Sequence, residues 1–263
     1  MERRWTARQA LLVLPATVAL AFAGSGCRAA DDRVSAAAPS SPTHAVATAT
    51  DAPSGPAPVA GDRSERFAVA EAVVAELAVY DGATATVPVR TLAHPNEEGA
   101  PLVLAVLDRA GDRLQVALPV RPNGSTGWVD AADVAVRTHS FRIEIRLAER
   151  ELRVFDGDEI VQLEPIGVGQ EPTPTPGGSF YLYELLQPPD PNGPYGPYAF
   201  GLSGFSEALT TFDGGDGRRG LHGTDDPASI GTGSTHGCIR LANDAIVQLA
   251  HTVPLGTPVA IFG

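Results

Sequence analysis

The chain has 263 residues and a formal net charge of −12, and all 19 of its basic residues are arginine. Such a balance excludes a protein built to grip nucleic acid, because phosphate binding needs a concentrated basic face. With 43% hydrophobic residues a core can form, while 28 Gly and 23 Pro favour strands and turns over long helices.

Residues 1–27 read as an export leader. Arg3, Arg4 and Arg8 form a positive start, Leu11 to Ala23 an apolar run, and Gly24-Ser25-Gly26 lead to Cys27. The run is about thirteen residues, short of the ~20 that span a bilayer as a helix. The arrangement is similar to the lipobox of bacterial lipoproteins, although Gly24 stands where a leucine-like residue is usual. That resemblance implies lipidation of Cys27 and a membrane anchor. The alternative is plain secretory cleavage with Cys27 incidental. Residues 28–63 are rich in Ala, Pro, Ser and Thr and hold too few large apolar residues for a core. They read as a disordered tether, on the order of 100 Å when extended, and His44 within it as solvated.

Residues 64–137 read as a small β-rich module. Thr84 to Val89 and Arg113 to Leu118 alternate, Pro101 to Leu107 is an apolar run, and Asn123-Gly124 is a turn leading into a short strand at Gly127-Trp128-Val129. The segment LPVRPNGSTGWVDAADV resembles the region before the catalytic domain of actinobacterial envelope proteins, which implies an SH3-like barrel. Trp128 fits a core anchor better than a ligand-stacking ring. His94 and His139 have no evident partners in the sequence.

From residue 138 to 263 the strand pattern is clearer. Phe141, Ile143, Ile145 and Leu147 alternate with Arg142, Glu144 and Arg146. Glu151 to Phe155 follows, then a hairpin turn at Asp156-Gly157-Asp158 into Ile160 to Val168. Pro172, Pro174, Pro176 and Gly177-Gly178 make a rigid loop before a strand at Phe180 to Leu185. Gln187 to Tyr198 is too rich in Pro and Gly for regular structure. Its Tyr195 and Tyr198 either line a substrate groove or pack the loop down. Asn243-Asp244 is positioned to cap a helix from Ala245 to Ala250, Pro254 ends it, and Thr257 to Phe262 is a closing strand.

The chemistry gathers in Leu221 to Leu241, LHGTDDPASIGTGSTHGCIRL. His222 and Cys238 lie sixteen positions apart with Gly223, Gly231, Gly233 and Gly237 between them. A cysteine nucleophile needs a base to make it a thiolate and backbone N–H groups to hold an oxyanion. Once Cys27 is lipidated or removed, Cys238 is a lone thiol in an oxidising compartment. The pattern points to thiol acyl transfer.

The run from His139 to Phe262 resembles the L,D-transpeptidase catalytic domain of the YkuD type. The matching residues are Pro174 to Tyr181, Leu221-His222-Gly223-Thr224, and Ser234-Thr235-His236-Gly237-Cys238-Ile239-Arg240. Thr235 stands where many members carry serine. The resemblance implies a mainly β fold, a β-sandwich catalytic domain behind the β-rich module, and a cysteine enzyme of the cell envelope acting on peptidoglycan stem peptides. It implies Cys238 as nucleophile, His222 as base, the Gly223 carbonyl as its orienter, and the N–H groups of Gly237 and Cys238 as the oxyanion hole. His236 holds the loop or lines the substrate site, with Thr235 beside it, and Arg240 meets a substrate carboxylate or a salt-bridge partner. It further implies 3→3 cross-linking, sensitivity to carbapenems, and no cofactor.

Other classes fit less well. A metal site from His222, His236 and Cys238 lacks the paired ligand spacing of zinc sites. A papain-type protease would place its cysteine before its histidine, and neither Ser206 nor Ser234 sits in a G-x-S-x-G context. L,D-carboxypeptidase activity on the same site and an inactive, lipid-anchored wall-binding protein remain the alternatives.

Overall fold

The computed structural model describes residues 66–207 and 216–263. The leader, Cys27 and the tether lie outside the described residues.

The first module is built from β1 (Phe67–Ala72), β2 (Glu76–Val79), β3 (Arg90–Ala93), β4 (Val103–Ala110), β5 (Arg113–Ala117), β6 (Thr126–Asp130) and β7 (Val134–His139). Five strands form an antiparallel sheet in the order β6-β5-β4-β1-β7, and β2 pairs with β3 as a separate hairpin. Alternation places Leu114 and Val116 of β5 and Leu77 and Val79 of β2 in one buried cluster. The expected strand at Thr84 to Val89 does not form. Val87 and Val89 are exposed, so the alternation there buries nothing, and Pro88 offers no N–H to a ladder. Trp128 is only half-buried and bridges Tyr80, while its neighbour Val129 fills the core. His94 does have a partner, since its Nδ1 accepts the Leu102 N–H at 3.1 Å.

The second module begins at β8 (Phe141–Arg146) and continues through β9 (Glu151–Asp156), β10 (Glu159–Pro165), β11 (Val168–Gly169), β12 (Gly178–Leu186), β13 (Ala199–Phe205), β14 (Arg218–His222), β15 (Gly233–Thr235), β16 (Ile239–Arg240), the helix α1 (Asn243–Thr252) and β17 (Pro258–Phe262). Eight strands run in the order β10-β9-β8-β17-β12-β13-β14-β16. β12 serves both halves: Gly178 to Tyr181 pair with β17, and Leu182 to Leu186 pair with β13. Ile143, Ile145, Leu152 and Val154 from the first half and Phe200, Leu202, Leu221 and Ile239 from the second share one core, which α1 closes with Ala245, Ile246 and Leu249. The helix is longer than expected, and its N-cap is Ala242, with no side-chain cap. Asn243 is used elsewhere: its Oδ1 accepts the Thr224 N–H at 2.8 Å.

The modules share apolar packing. Tyr181 and Tyr183 of β12 belong to the first module's buried cluster, and the Tyr181 hydroxyl donates to the Ala117 carbonyl at 3.2 Å. Asn123 exchanges two hydrogen bonds with the backbone of Phe205, at 2.8 and 3.0 Å. Arg121 donates to the carbonyls of Ser206 and Asp216, both at 3.0 Å.

Candidate active site

His222 ends β14, and Cys238 immediately precedes β16. These strands run parallel, with Leu221 opposite Ile239 and His222 opposite Arg240. The strand pair therefore brings Cys238 alongside Gly220, whose backbone hydrogen-bonds the thiol, two residues along β14 from His222. Both residues line a cleft of about 1080 Å3.

The ring of His222 is fixed by its own turn. Its Nδ1 lies 2.6 Å from the Gly223 carbonyl oxygen. A carbonyl only accepts, so Nδ1 carries the proton and the Nε2 lone pair is left to act as a base. Tyr195 packs edge-on against the ring, centroids 5.0 Å apart. The proline- and glycine-rich loop reaches this position because Gly196, at φ +62°, packs on the Cα of Gly223; a Cβ on Gly196 would stand 2.6 Å from that atom. Tyr195 thus lies at the cleft. Tyr198 does not: it packs on the main core and edge-on to His251, and its hydroxyl accepts from Gln187 at 3.0 Å.

Burial sets the resting charges. Desolvation, with a smaller contribution from the Arg240 charge, holds His222 down at about 4 despite the Gly223 hydrogen bond. Desolvation also pushes the Cys238 thiol up, opposed by a backbone hydrogen bond from Gly220 and by the charges of Arg219 and Arg240. Both groups are therefore neutral near pH 7, and thiolate forms only as the proton moves to the base.

Each peptide around Cys238 is held by a named partner. The His236 carbonyl accepts from Arg219 Nη1 at 3.3 Å, and the Gly237 N–H donates to Thr235 Oγ1 at 3.1 Å. The Gly237 carbonyl accepts from Thr175 Oγ1 at 3.1 Å. Since C=O and N–H of a trans peptide point opposite ways, Thr175 aims the Cys238 N–H away from itself. The expected pair of oxyanion donors is corrected here: Thr235 already occupies the Gly237 N–H, which leaves Cys238 N–H as the donor of that pair. Thr235 is likewise a loop staple rather than a substrate contact, for it is buried and its hydroxyl also donates to the Cys238 carbonyl at 2.6 Å.

The side chain of His236 is exposed, and its backbone carbonyl accepts from Arg219. Arg240 reaches Asp226 at a loose 3.9 Å with its side chain 22% exposed, and its backbone pairs with Gly167 in both directions at 2.9 Å. Neither residue lines the cleft.

Arg219, which the sequence did not single out, is central. It is buried, and its Nη2 donates to the Pro174 carbonyl at 3.2 Å and to Ser206 Oγ at 2.9 Å while Nη1 holds His236. It joins the proline loop, the residue that follows β13 and the Cys238 loop in one frame and sets a positive charge by the thiol. In the sequence it is one more arginine in Arg218-Arg219, and strand alternation that turns it inward was its one available signal. Among the described residues no group of three His, Cys, Asp or Glu is placed to hold a metal.

A buried, oriented histidine, an adjacent thiol and an aimed backbone N–H define a thiol-dependent acyl-transfer site. A model of the YkuD family, the L,D-transpeptidase catalytic domain, matches residues 140–261. The YkuD protein of Bacillus licheniformis is 34% identical over 154 residues, which cover 56% of this chain and 85% of that one. The YkuD protein of Bacillus subtilis is 34% identical over 124 residues, 47% of this chain and 67% of that one. L,D-transpeptidase 3 from Mycobacterium tuberculosis, solved with a faropenem-derived adduct, is similar at 13% identity and a TM-score of 0.39, over 62% of this chain and 92% of that one. The chain belongs to the YkuD L,D-transpeptidase family.

Proposed function

We propose that the chain is a cysteine-dependent L,D-transpeptidase that forms or remodels 3→3 cross-links between peptidoglycan stem peptides. The observation that carries the reading is the His222 ring, tied through Nδ1 to the Gly223 carbonyl on the strand beside Cys238. His222 Nε2 takes the thiol proton as Sγ bonds to the carbonyl carbon of a stem peptide. The carbonyl π pair moves to oxygen, where the Cys238 N–H holds it. Collapse breaks the C–N bond, and the departing amine receives the proton from His222, leaving a thioester. A second stem's amine gives its proton to His222, attacks that thioester and restores the thiol.

The neutral resting pair suits this sequence, because charge develops only during transfer, between Arg219 and Arg240. Residues 1–27 support export and Cys27 a lipid anchor on the outer face of the cytoplasmic membrane, with residues 28–63 as the tether. The strands of residues 66–139 support an SH3-like reading of the first module.

The test is intact mass after incubation with a carbapenem, for the wild type and Cys238→Ala. One adduct on the wild type alone is expected, followed by cross-linked product from stem peptides. No adduct on folded, reduced protein overturns the reading. Release of the terminal residue without cross-linked product would instead assign L,D-carboxypeptidase activity.

A further inference from the structure

The first module grips the catalytic sheet through one turn. Arg121 to Asn123 lies between β5 and β6, outside the matched catalytic domain, and it meets the chain where β13 ends and β14 begins. Asn123 Oδ1 accepts the Phe205 N–H at 2.8 Å, and its Nδ2 donates to the Phe205 carbonyl at 3.0 Å. Arg121 Nη1 donates to the Ser206 carbonyl and Nη2 to the Asp216 carbonyl, both at 3.0 Å. Its guanidinium also lies over the Phe205 ring, 4.7 Å from the ring centre. Both peptides that flank Ser206 are therefore held by this turn.

Ser206 in turn holds Arg219. It is 2% exposed, and its Oγ accepts from Arg219 Nη2 at 2.9 Å. The other acceptors of Arg219 are the Pro174 carbonyl at 3.2 Å and the His236 carbonyl at 3.3 Å. Those two lie on loops, whereas Ser206 follows directly on a sheet strand.

All three acceptors are neutral, so they leave the charge of Arg219 uncancelled. A guanidinium taken out of water without a counter-ion is costly. Arg219 is buried, and its Nε has no hydrogen-bond partner among the described residues. The anion it can meet is the one that Cys238 becomes. Burial disfavours both charged forms, pushing the thiol up and the guanidinium down. After the Gly220 hydrogen bond, the Arg219 charge is the largest effect favouring the thiolate, and Cys238 is the group that favours the guanidinium in return. Arg240 is the other charge acting on the thiol, and it is tied to Asp226 and Gly167 rather than to the first module.

We infer that the Arg121–Asn123 turn is a positioning element for Cys238: it fixes Ser206, Ser206 fixes the Arg219 guanidinium, and that charge steadies the thiolate as it forms. The inference rests on the reading of Cys238 as the acylated thiol. It gives the first module residues that act on the chemistry through Arg219, beyond their part in holding the two modules together.

The experiment uses the full chain, Ser206→Ala, Arg121→Ala/Asn123→Ala, and all three changes together, with melting temperatures compared first. Iodoacetamide alkylation is followed across pH by mass spectrometry of the Cys238 peptide, which reports the thiolate fraction. Carbapenem acylation is then timed at pH 7. Both variants are expected to move the alkylation curve to higher pH, so that labelling and acylation at pH 7 fall about threefold to tenfold, the order of one weakened charge contact. With all three changes the fall should match the stronger of the two variants, because they cut a single path. A turn with only a structural role would lower the melting temperature and leave the curve in place, and that result overturns the inference. Additive falls overturn it too, since the turn and Ser206 would then act separately. If the turn variant does not fold, Ser206→Ala decides alone, an unshifted curve again being the contrary result. A wild type that is alkylated but takes no carbapenem overturns the acyl-transfer reading, while the alkylation curves still decide the inference.

Discussion

The guanidinium of Arg219 lies directly against the Cα of Gly237, in the space any larger residue's Cβ would fill. Gly237 also sits at φ +107°, a region that L side chains rarely adopt. The close approach lets Nη1 reach the His236 carbonyl and brings positive charge beside the thiol. Gly237→Ala must push the arginine or the loop aside, so carbapenem acylation should fall at least about 100-fold, since catalytic geometry tolerates little displacement. Intact-mass time courses measure the rate, and circular dichroism checks the fold. An unimpaired rate would show that the loop relaxes around the methyl group.

Thr175 offers a cleaner separation of position from charge. Its hydroxyl accepts the Gly169 N–H at 2.8 Å and donates to the Gly237 carbonyl at 3.1 Å. Thr175→Val keeps the shape and strands the buried Gly237 carbonyl, at about 1–3 kcal/mol, and with it the half-buried Gly169 N–H, at less. The melting temperature should fall by several degrees. With the Gly237–Cys238 peptide no longer aimed, acylation should drop toward the ~100-fold typical of a lost oxyanion donor. Thr175→Ser keeps the hydroxyl and should recover most of both.

The pH dependence follows from His222. Burial holds it at about 4, below the usual histidine value, so the neutral base persists down to that pH and is lost as pH falls through it. The acid limb of carbapenem acylation should therefore lie near pH 4 rather than 6.5 in a stopped-flow series. Arg240→Gln removes a charge that lowers His222 and should move the limb upward. The same depression makes folding progressively less favourable below pH 6.5, because the unfolded chain binds the proton first. A limb that stays near 6.5 would mean that His222 is more hydrated than its burial implies.

Much of this site was legible in the sequence because its chemistry is local. His222-Gly223 and Gly237-Cys238 are each one turn, and the alternation from Phe141 to Arg146 named the face that enters the core. The frame around them was less legible. Thr175, Arg219 and Asn243 meet the catalytic turns only after three distant segments cross, and nothing in their neighbours announces that crossing. Thr84 to Val89 shows the opposite failure, an alternating pattern with no core opposite it. Asn243 resembles a helix cap by position, yet the N–H it satisfies belongs to Thr224.

The shared core yields the last prediction. Tyr181 is 2% and Tyr183 7% exposed, and both are covered by the first module. A fragment beginning at residue 140 would leave both rings bare, at about 2 kcal/mol or more of lost burial each, on a strand that pairs with β13 and β17 around the active site. Such a fragment should melt well below the chain that keeps residues 66–139 and should bind a hydrophobic dye. Replacing both tyrosines by serine within the fragment should reduce dye binding without restoring the melting temperature, since the lost packing stays lost. Equal melting of the two pieces would show that the modules fold independently and that their contact carries little stability. The expected result makes residues 66–139 part of the catalytic domain's structural integrity.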